Sequence, residues 1–261
     1  MIKVTREAAE PSTAEEHETK FTRVELRSLK AAKIILDAGW TYKSNPRFRD
    51  NRSLAEGSRL TEIDFIADCT VYNSDLDECL GKEGWLGLQL VIDVKKYSRP
   101  LLIFSSPLTD QDNNFVYSDV YCTSKSGKMK NAFCSLHWRD GPFGGDYGGR
   151  SAVVVNNDGT KPKDFDVRQI YSALDGLYEA CKSVKREADE FYRFVIEDSG
   201  QNYLNAIIPV IIYDGDILVY RITSRNTVLE RTNVASLTSH IIGEEDRLST
   251  SCAFVVSLTY L

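Results

Sequence analysis

From Phe21 onward the apolar positions recur at helical spacing. Val24, Ser28, Ala31 and Ile35 form one row, and Glu25, Leu29, Ala32 and Leu36 form the row beside it. Together they predict a helix with one apolar face. Asp37-Ala38-Gly39 ends it, with Gly39 suited to the left-handed position after a helix. Trp40-Thr41-Tyr42 opens extended structure, and residues 44–60, polar, basic and interrupted by Pro46, read as a loop. Two apolar runs then have strand character: TEIDFIADCTVY (61–72) and WLGLQLVIDVKKY (85–97), joined by an acidic connector rich in turn residues. Arg99-Pro100 breaks the second run, and LLIF (101–104) begins another short strand.

Residues 105–150 carry a weaker pattern. FVYSDVYCT (115–123) is a strand candidate, SKSGKMKN a basic loop and GPFGGDYGGR (141–150) a glycine-rich connector, with a strand at SAVVVNN beyond it. A long helix is the clearest element. Asp166 and Gln169 have capping-box spacing. Val167, Ile170, Leu174, Leu177, Cys181, Val184, Ala188, Phe191 and Val195 then alternate steps of three and four, predicting a helix over 166–197. Tyr171, Tyr178 and Tyr192 add a second stripe, which widens the buried face and favours packing on a sheet over a dimer seam. Asp214-Gly215 between two β-branched runs in NAIIPVIIYDGDILVYRIT (205–223) predicts a hairpin. A polar stretch, 224–250, leads to a last strand, CAFVVSLTY.

Composition narrows the class. With 261 residues, 42% hydrophobic and 27% charged, the chain is neither disordered nor collagen-like and can bury a core without staples. No apolar run approaches a membrane span, and the charged first twenty residues lack a signal-peptide core. Six dispersed cysteines read as reduced thiols in a cytoplasm. The organisation expected is an acidic mobile arm over 1–19 and a single domain over 20–261, with an insertion at about 105–160 and a C-terminal half from 161. Net charge is −6, yet residues 20–60 hold ten Lys and Arg against four Asp and Glu. That segment is either a phosphate-binding surface on a chain that otherwise repels nucleic acid, or a solvated helix face.

Candidate chemistry comes from charges placed where burial should exclude them. Asp64 lies inside EIDFIA. Asp93 and Lys95, two apart in LVIDVKK, project from one strand face. Glu25 lies in the row of Leu29 and Leu36. Buried charges need a partner or a metal. Carboxylates from two strands and a helix make a hard-oxygen site suited to Mg²⁺, with Lys95 beside it to serve a water or a phosphate. A plainer reading is an ion pair between Asp93 and Lys95 on a one-sided sheet, with Asp64 on its solvated face.

The order helix with Glu25, strand with Asp64, strand with Asp93-Val94-Lys95 resembles the PD-(D/E)xK nuclease superfamily, the restriction-endonuclease-like fold, over residues 21–104. Gly39-Trp40 and KKYSRPLLIF look like its stand-alone bacterial members, and the later helix with IIPVIIYDGDILVY is similar to the C-terminal half of uncharacterised relatives. The resemblance implies an α/β fold, a mixed sheet flanked by helices, here extended by C-terminal strands and one long helix. It implies a nuclease that hydrolyses phosphodiesters, usually in DNA, with Mg²⁺ or Mn²⁺. Asp64, Asp93 and the Val94 carbonyl would be metal ligands, Lys95 would serve the attacking water, and Glu25 would be an accessory ligand. Arg47, Arg49, Arg52, Lys96 and Arg99 would contact the nucleic-acid backbone. A degenerate, non-catalytic module for binding or assembly, and a restriction or antiphage effector switched on by a partner ATPase or helicase, are the other expectations.

The sequence also departs from the family pattern. Ile63 stands before Asp64 in place of proline, the span from Asp64 to Asp93 is long, and Gln169 and Tyr171 do not have the spacing of the family's Gln and Tyr. Cys122, Cys134 and His137 lack a fourth zinc ligand. Lys125, Lys128 and Lys130 fit a solvated loop, and the glycine-rich segment contains no Walker motif.

Overall fold

The structure is a computed structural model that describes residues 23–49, 60–72, 84–95, 99–107, 122–124, 147–156, 165–195, 202–222, 226–242 and 248–258. In chain order the elements are α1 (Arg23–Asp37), β1 (Thr41–Ser44), β2 (Arg47–Arg49), β3 (Leu60–Glu62), β4 (Phe65–Tyr72) and β5 (Gly84–Lys95). They continue with β6 (Leu101–Pro107), β7 (Cys122–Ser124), β8 (Tyr147–Val154), α2 (Phe165–Val195) and β9 (Asn202–Tyr213). The last four are β10 (Ile217–Ile222), β11 (Thr227–Thr232), β12 (Val234–Ile242) and β13 (Leu248–Ser257). Among the described residues, eleven strands make one mixed sheet in the order β1-β4-β5-β9-β13-β12-β8-β6-β10-β11, with β7 added against β9, and β2 and β3 form a separate ribbon.

The α1 helix ends as its sequence requires. Gly39 has φ 77°, and two bonds close the end, Trp40 N–H to Ile35 C=O at 3.1 Å and Gly39 N–H to Leu36 C=O at 2.9 Å. The chain then reverses through β1, β4 and β5, each antiparallel to the last. β9 lies parallel to β5 along its whole length, from Gly84↔Asn202 to Lys95↔Tyr213. Parallel neighbours need a crossover, and α2 lies in this one.

Strand alternation divides the core between two faces. On one, Ala31, Ala32 and Ile35 of α1 pack over Phe65, Ala67, Ile92, Val94 and Ile212. On the other, Ile170, Leu174, Leu177, Cys181 and Val184 of α2 pack over Ile66, Val91, Ile207 and Ile211. The same cluster includes Ile103 and Val154, Leu237 and Val255, and Ile217 from strands farther along the sheet, so the sheet curls around α2. Each fully buried aliphatic side chain contributes about 1.5–3 kcal/mol. This burial makes α2 a core helix, as the tyrosine stripe suggested. Tyr178 and Tyr192 are buried, and the Tyr171 hydroxyl accepts the Ala152 N–H at 3.1 Å.

Several expectations need correction. The α1 face is narrower than its two rows, because Leu29 and Leu36 are 50% and 55% exposed. The helix meets the sheet along Ala31 and Ala32, whose small side chains allow close approach. The run 61–72 is two strands, and residues 44–60 are not all loop. β1 with β4 and β2 with β3 form one hairpin bent where Asn45, at φ 49°, faces Asp64. Asn45 N–H to Asp64 C=O at 2.8 Å and Ile63 N–H to Pro46 C=O at 3.2 Å latch the bend.

Asp214-Gly215 joins no hairpin, since β9 pairs with β5 and β13 while β10 pairs with β6 and β11. Glycine is needed there because a Cβ would collide with the Arg99 carbonyl. The end of the glycine-rich segment is strand β8, where a Cβ on Gly149 would collide with the Ser236 carbonyl and Ile103. The polar stretch 224–250 holds β11, all of β12 and the first residues of β13. The long helix starts at Phe165, one residue before Asp166, and ends at Val195. Most of the strand candidate at 115–123 lies outside the described residues, and so do the arm 1–19 and the zinc candidates Cys134 and His137.

Candidate functional site: the junction of β4 and β5

The bend in the hairpin sets this site. The β4–β5 ladder ends at Phe65↔Ile92, and extending the register by one residue sets Asp64 across from Asp93. β4 no longer offers a backbone acceptor there. Instead the Asp64 side chain turns inward, and its Oδ2 accepts the Val94 N–H at 2.7 Å. In an extended strand a residue's N–H and C=O point the same way, so the Val94 carbonyl opens on the Asp64 side. Lys95 faces the other neighbour, its carbonyl accepting the Asp214 N–H at 3.2 Å.

Asp93 and Lys95 share the face of Val91, as their spacing requires, and their side chains form an ion pair of 2.9 Å with 14% and 21% exposure. The β2–β3 ribbon folds toward the same side, since Phe48 and Ile63 are buried in the cluster that contains Val91 and α2. The site is therefore a half-buried group of two carboxylates from adjacent strands, one ammonium and one backbone carbonyl, between the ribbon and the sheet.

The remaining expected residues lie on other elements or outside the described residues. Glu25 belongs to α1, which packs on the opposite face of the sheet, and its side chain lies outside the described set. Its row is solvent-facing at Leu29 and Leu36. Arg47 is exposed and pairs with Glu62 across the ribbon at 3.0 Å. The Arg49 side chain, Arg52 and Lys96 lie outside the described residues. Arg99 is exposed, and its carbonyl accepts the Tyr213 hydroxyl at 2.7 Å. Among the described residues, no group of three or more His, Cys, Asp or Glu side chains is arranged to hold a metal ion.

Two further polar residues are not singled out by the sequence pattern. Asp68 and Gln89 hydrogen-bond across β4 and β5 at 2.6 Å, and Asn205 on β9 donates to Gln89 at 2.8 Å. The available signal was the strand period, for Asp68 repeats Asp64 two steps on and Gln89 precedes Asp93 by two steps.

Fold and site together define an α/β protein with a large mixed sheet and two described helices. Among the described residues no helix is long and apolar enough to cross a membrane. No family model, no curated protein and no solved structure matches the chain.

Proposed function

We propose that the chain is a metal-dependent nuclease whose site is Asp64, Asp93 and Lys95 with the Val94 carbonyl, hydrolysing phosphodiesters in nucleic acid, with DNA the expected substrate. The observation that carries this reading is the meeting of Asp64 with the Asp93-Val94-Lys95 strand in a half-buried corner, tied by the 2.7 Å Asp64–Val94 bond and the 2.9 Å Lys95–Asp93 pair. The donor set is all oxygen and doubly anionic, which fits Mg²⁺ or Mn²⁺ and not a soft metal. Asp64, Asp93 and the Val94 carbonyl would hold the ion, which supplies charge neutralisation at a phosphate oxygen. Lys95, paired with Asp93, would donate to the phosphate or orient the attacking water. Asp64, anchored to the Val94 amide, keeps its orientation without that ion.

A second reading is a non-catalytic module of the same fold. The Asp64 bond favours it, because a carboxylate that completes a ladder end already has a structural task. Melting in EDTA and in Mg²⁺ separates the two. A metal site raises the wild-type melting temperature with Mg²⁺ by mass action. Asp64→Asn, which keeps an acceptor for Val94 but loses the charge, should lose most of that rise. An equal response of both proteins to Mg²⁺, or no response in either, favours the module.

A further inference from the structure

A cleft of about 330 Å³ opens beneath the last turns of α2, against β1, β4, β5 and β9. None of Asp64, Asp93 or Lys95 lines it. Its floor is a polar relay with a fixed direction. The Asp68 carboxylate can only accept, so Gln89 presents its Nε2 to it at 2.6 Å. Gln89 Oε1 is thereby turned to Asn205, whose Nδ2 donates to it at 2.8 Å. The Asn205 oxygen is left lying over Gly87, where a Cβ would overlap it and would come within 3.1 Å of the Tyr192 hydroxyl.

A glycine inside a central strand gives up packing and chain entropy. Here it makes room for an acceptor and a hydroxyl side by side. Tyr192 is buried, and its ring stacks on Tyr203 at 4.2 Å and 3°, which holds the hydroxyl in place. Burial and the neighbouring Tyr203 push its phenol up to about 12. Phe191, also lining the cleft, is 55% exposed and meets Tyr192 edge-on at 5.5 Å.

We propose that this cleft holds a nucleobase, with the Asn205 oxygen and the Tyr192 hydroxyl on its hydrogen-bonding edge and the Phe191 ring on its face. The proposal rests on the nuclease reading for the source of the base. Gln89 and Asp93 share one face of β5 four residues apart, about 13 Å at strand rise, so a base here and a phosphate at Asp93 can belong to one strand.

Calorimetric titration of the full chain in EDTA tests it, with the four ribonucleoside monophosphates and single-stranded oligonucleotides of each base as probes. At least one base should bind. Tyr192→Phe, which keeps the ring and its stack, should weaken that binding about 3- to 10-fold. Phe191→Ala, at an exposed position with little risk to folding, should weaken it about tenfold. Such losses on the monophosphates point to a free nucleotide as the source, and losses on the oligonucleotides alone point to a strand. Either supports the cleft. No binding to any probe, or binding that a folded Phe191→Ala leaves unchanged, overturns it. Cleavage measured in parallel separates the two proposals. A chain that binds bases but cuts nothing loses the nuclease reading alone, and one that cuts but ignores bases loses the cleft alone.

Discussion

Asp64 takes the place that the Ile63 carbonyl would hold if the β4–β5 ladder ran two residues further, to the position across from Val94. Asp64→Ala leaves the partly buried Val94 amide without its acceptor and should cost about 1–3 kcal/mol in chemical denaturation. Asp64→Asn retains an oxygen and should cost about 0.5 kcal/mol. Asp93→Asn leaves the Lys95 ammonium without its carboxylate partner and should cost about 1–2 kcal/mol in metal-free buffer. Tyr192 gives a pH signature. Its folded phenol titrates near 12 against an ordinary 10. Its stabilising contribution is therefore complete below pH 10 and is lost as pH rises from 10 to 12. Denaturant midpoints across that range should fall more steeply for wild type than for Tyr192→Phe. Asp64, Asp93 and Lys95 were legible in the sequence because each interrupts an apolar run. Asp68 and Gln89 were not singled out, since an Asp or Gln at a strand position also fits a solvated face, and only the neighbouring strand shows that the two meet.

At the scale of elements, periodicity revealed α1, α2, β4, β5 and β9, each with a core-facing pattern. It missed β11, because that edge strand is exposed along nearly its whole length and shows no alternation. Asp214-Gly215 misled for a different reason. A D-G pair reports local chain reversal, but which strands then pair is decided by distant partners. β9 ends beside β5 and β13, and β10 begins beside β6, where Leu101 N–H bonds the Asp216 carbonyl at 2.8 Å. Gly215 is held by the Arg99 carbonyl, not by turn type. Gly215→Ala should therefore lower stability by about 1–3 kcal/mol in a thermal melt, through displacement of the Arg99 segment. A loss within about 0.5 kcal/mol would mean that the close approach is not made.

At the scale of the molecule, one sheet curls around one helix. Cys181 on α2 and Cys252 on β13 are both buried in that core. Burial, and for Cys181 also the neighbouring Cys252, pushes both thiols well above the ordinary range. In the native protein neither should react with a thiol reagent at pH 8, and their labelling should follow the unfolding curve. The α/β class was legible from alternating helical and strand periods. The curl was not, because it depends on β12 and β13 joining β9 to β8, a pairing that no local signal carries.

Phosphodiester cleavage is the measurement closest to the claim that Asp64, Asp93 and Lys95 form a hydrolytic site. Wild type, Asp93→Asn and Lys95→Ala, each shown to be folded, are incubated with duplex DNA, single-stranded DNA and RNA in Mg²⁺ and in EDTA. Wild type should cut at least one substrate in Mg²⁺ and none in EDTA, and each variant should be slower by about 100-fold or more. A folded wild type that cuts none of the three, or cleavage that persists in Lys95→Ala and Asp93→Asn, would contradict it.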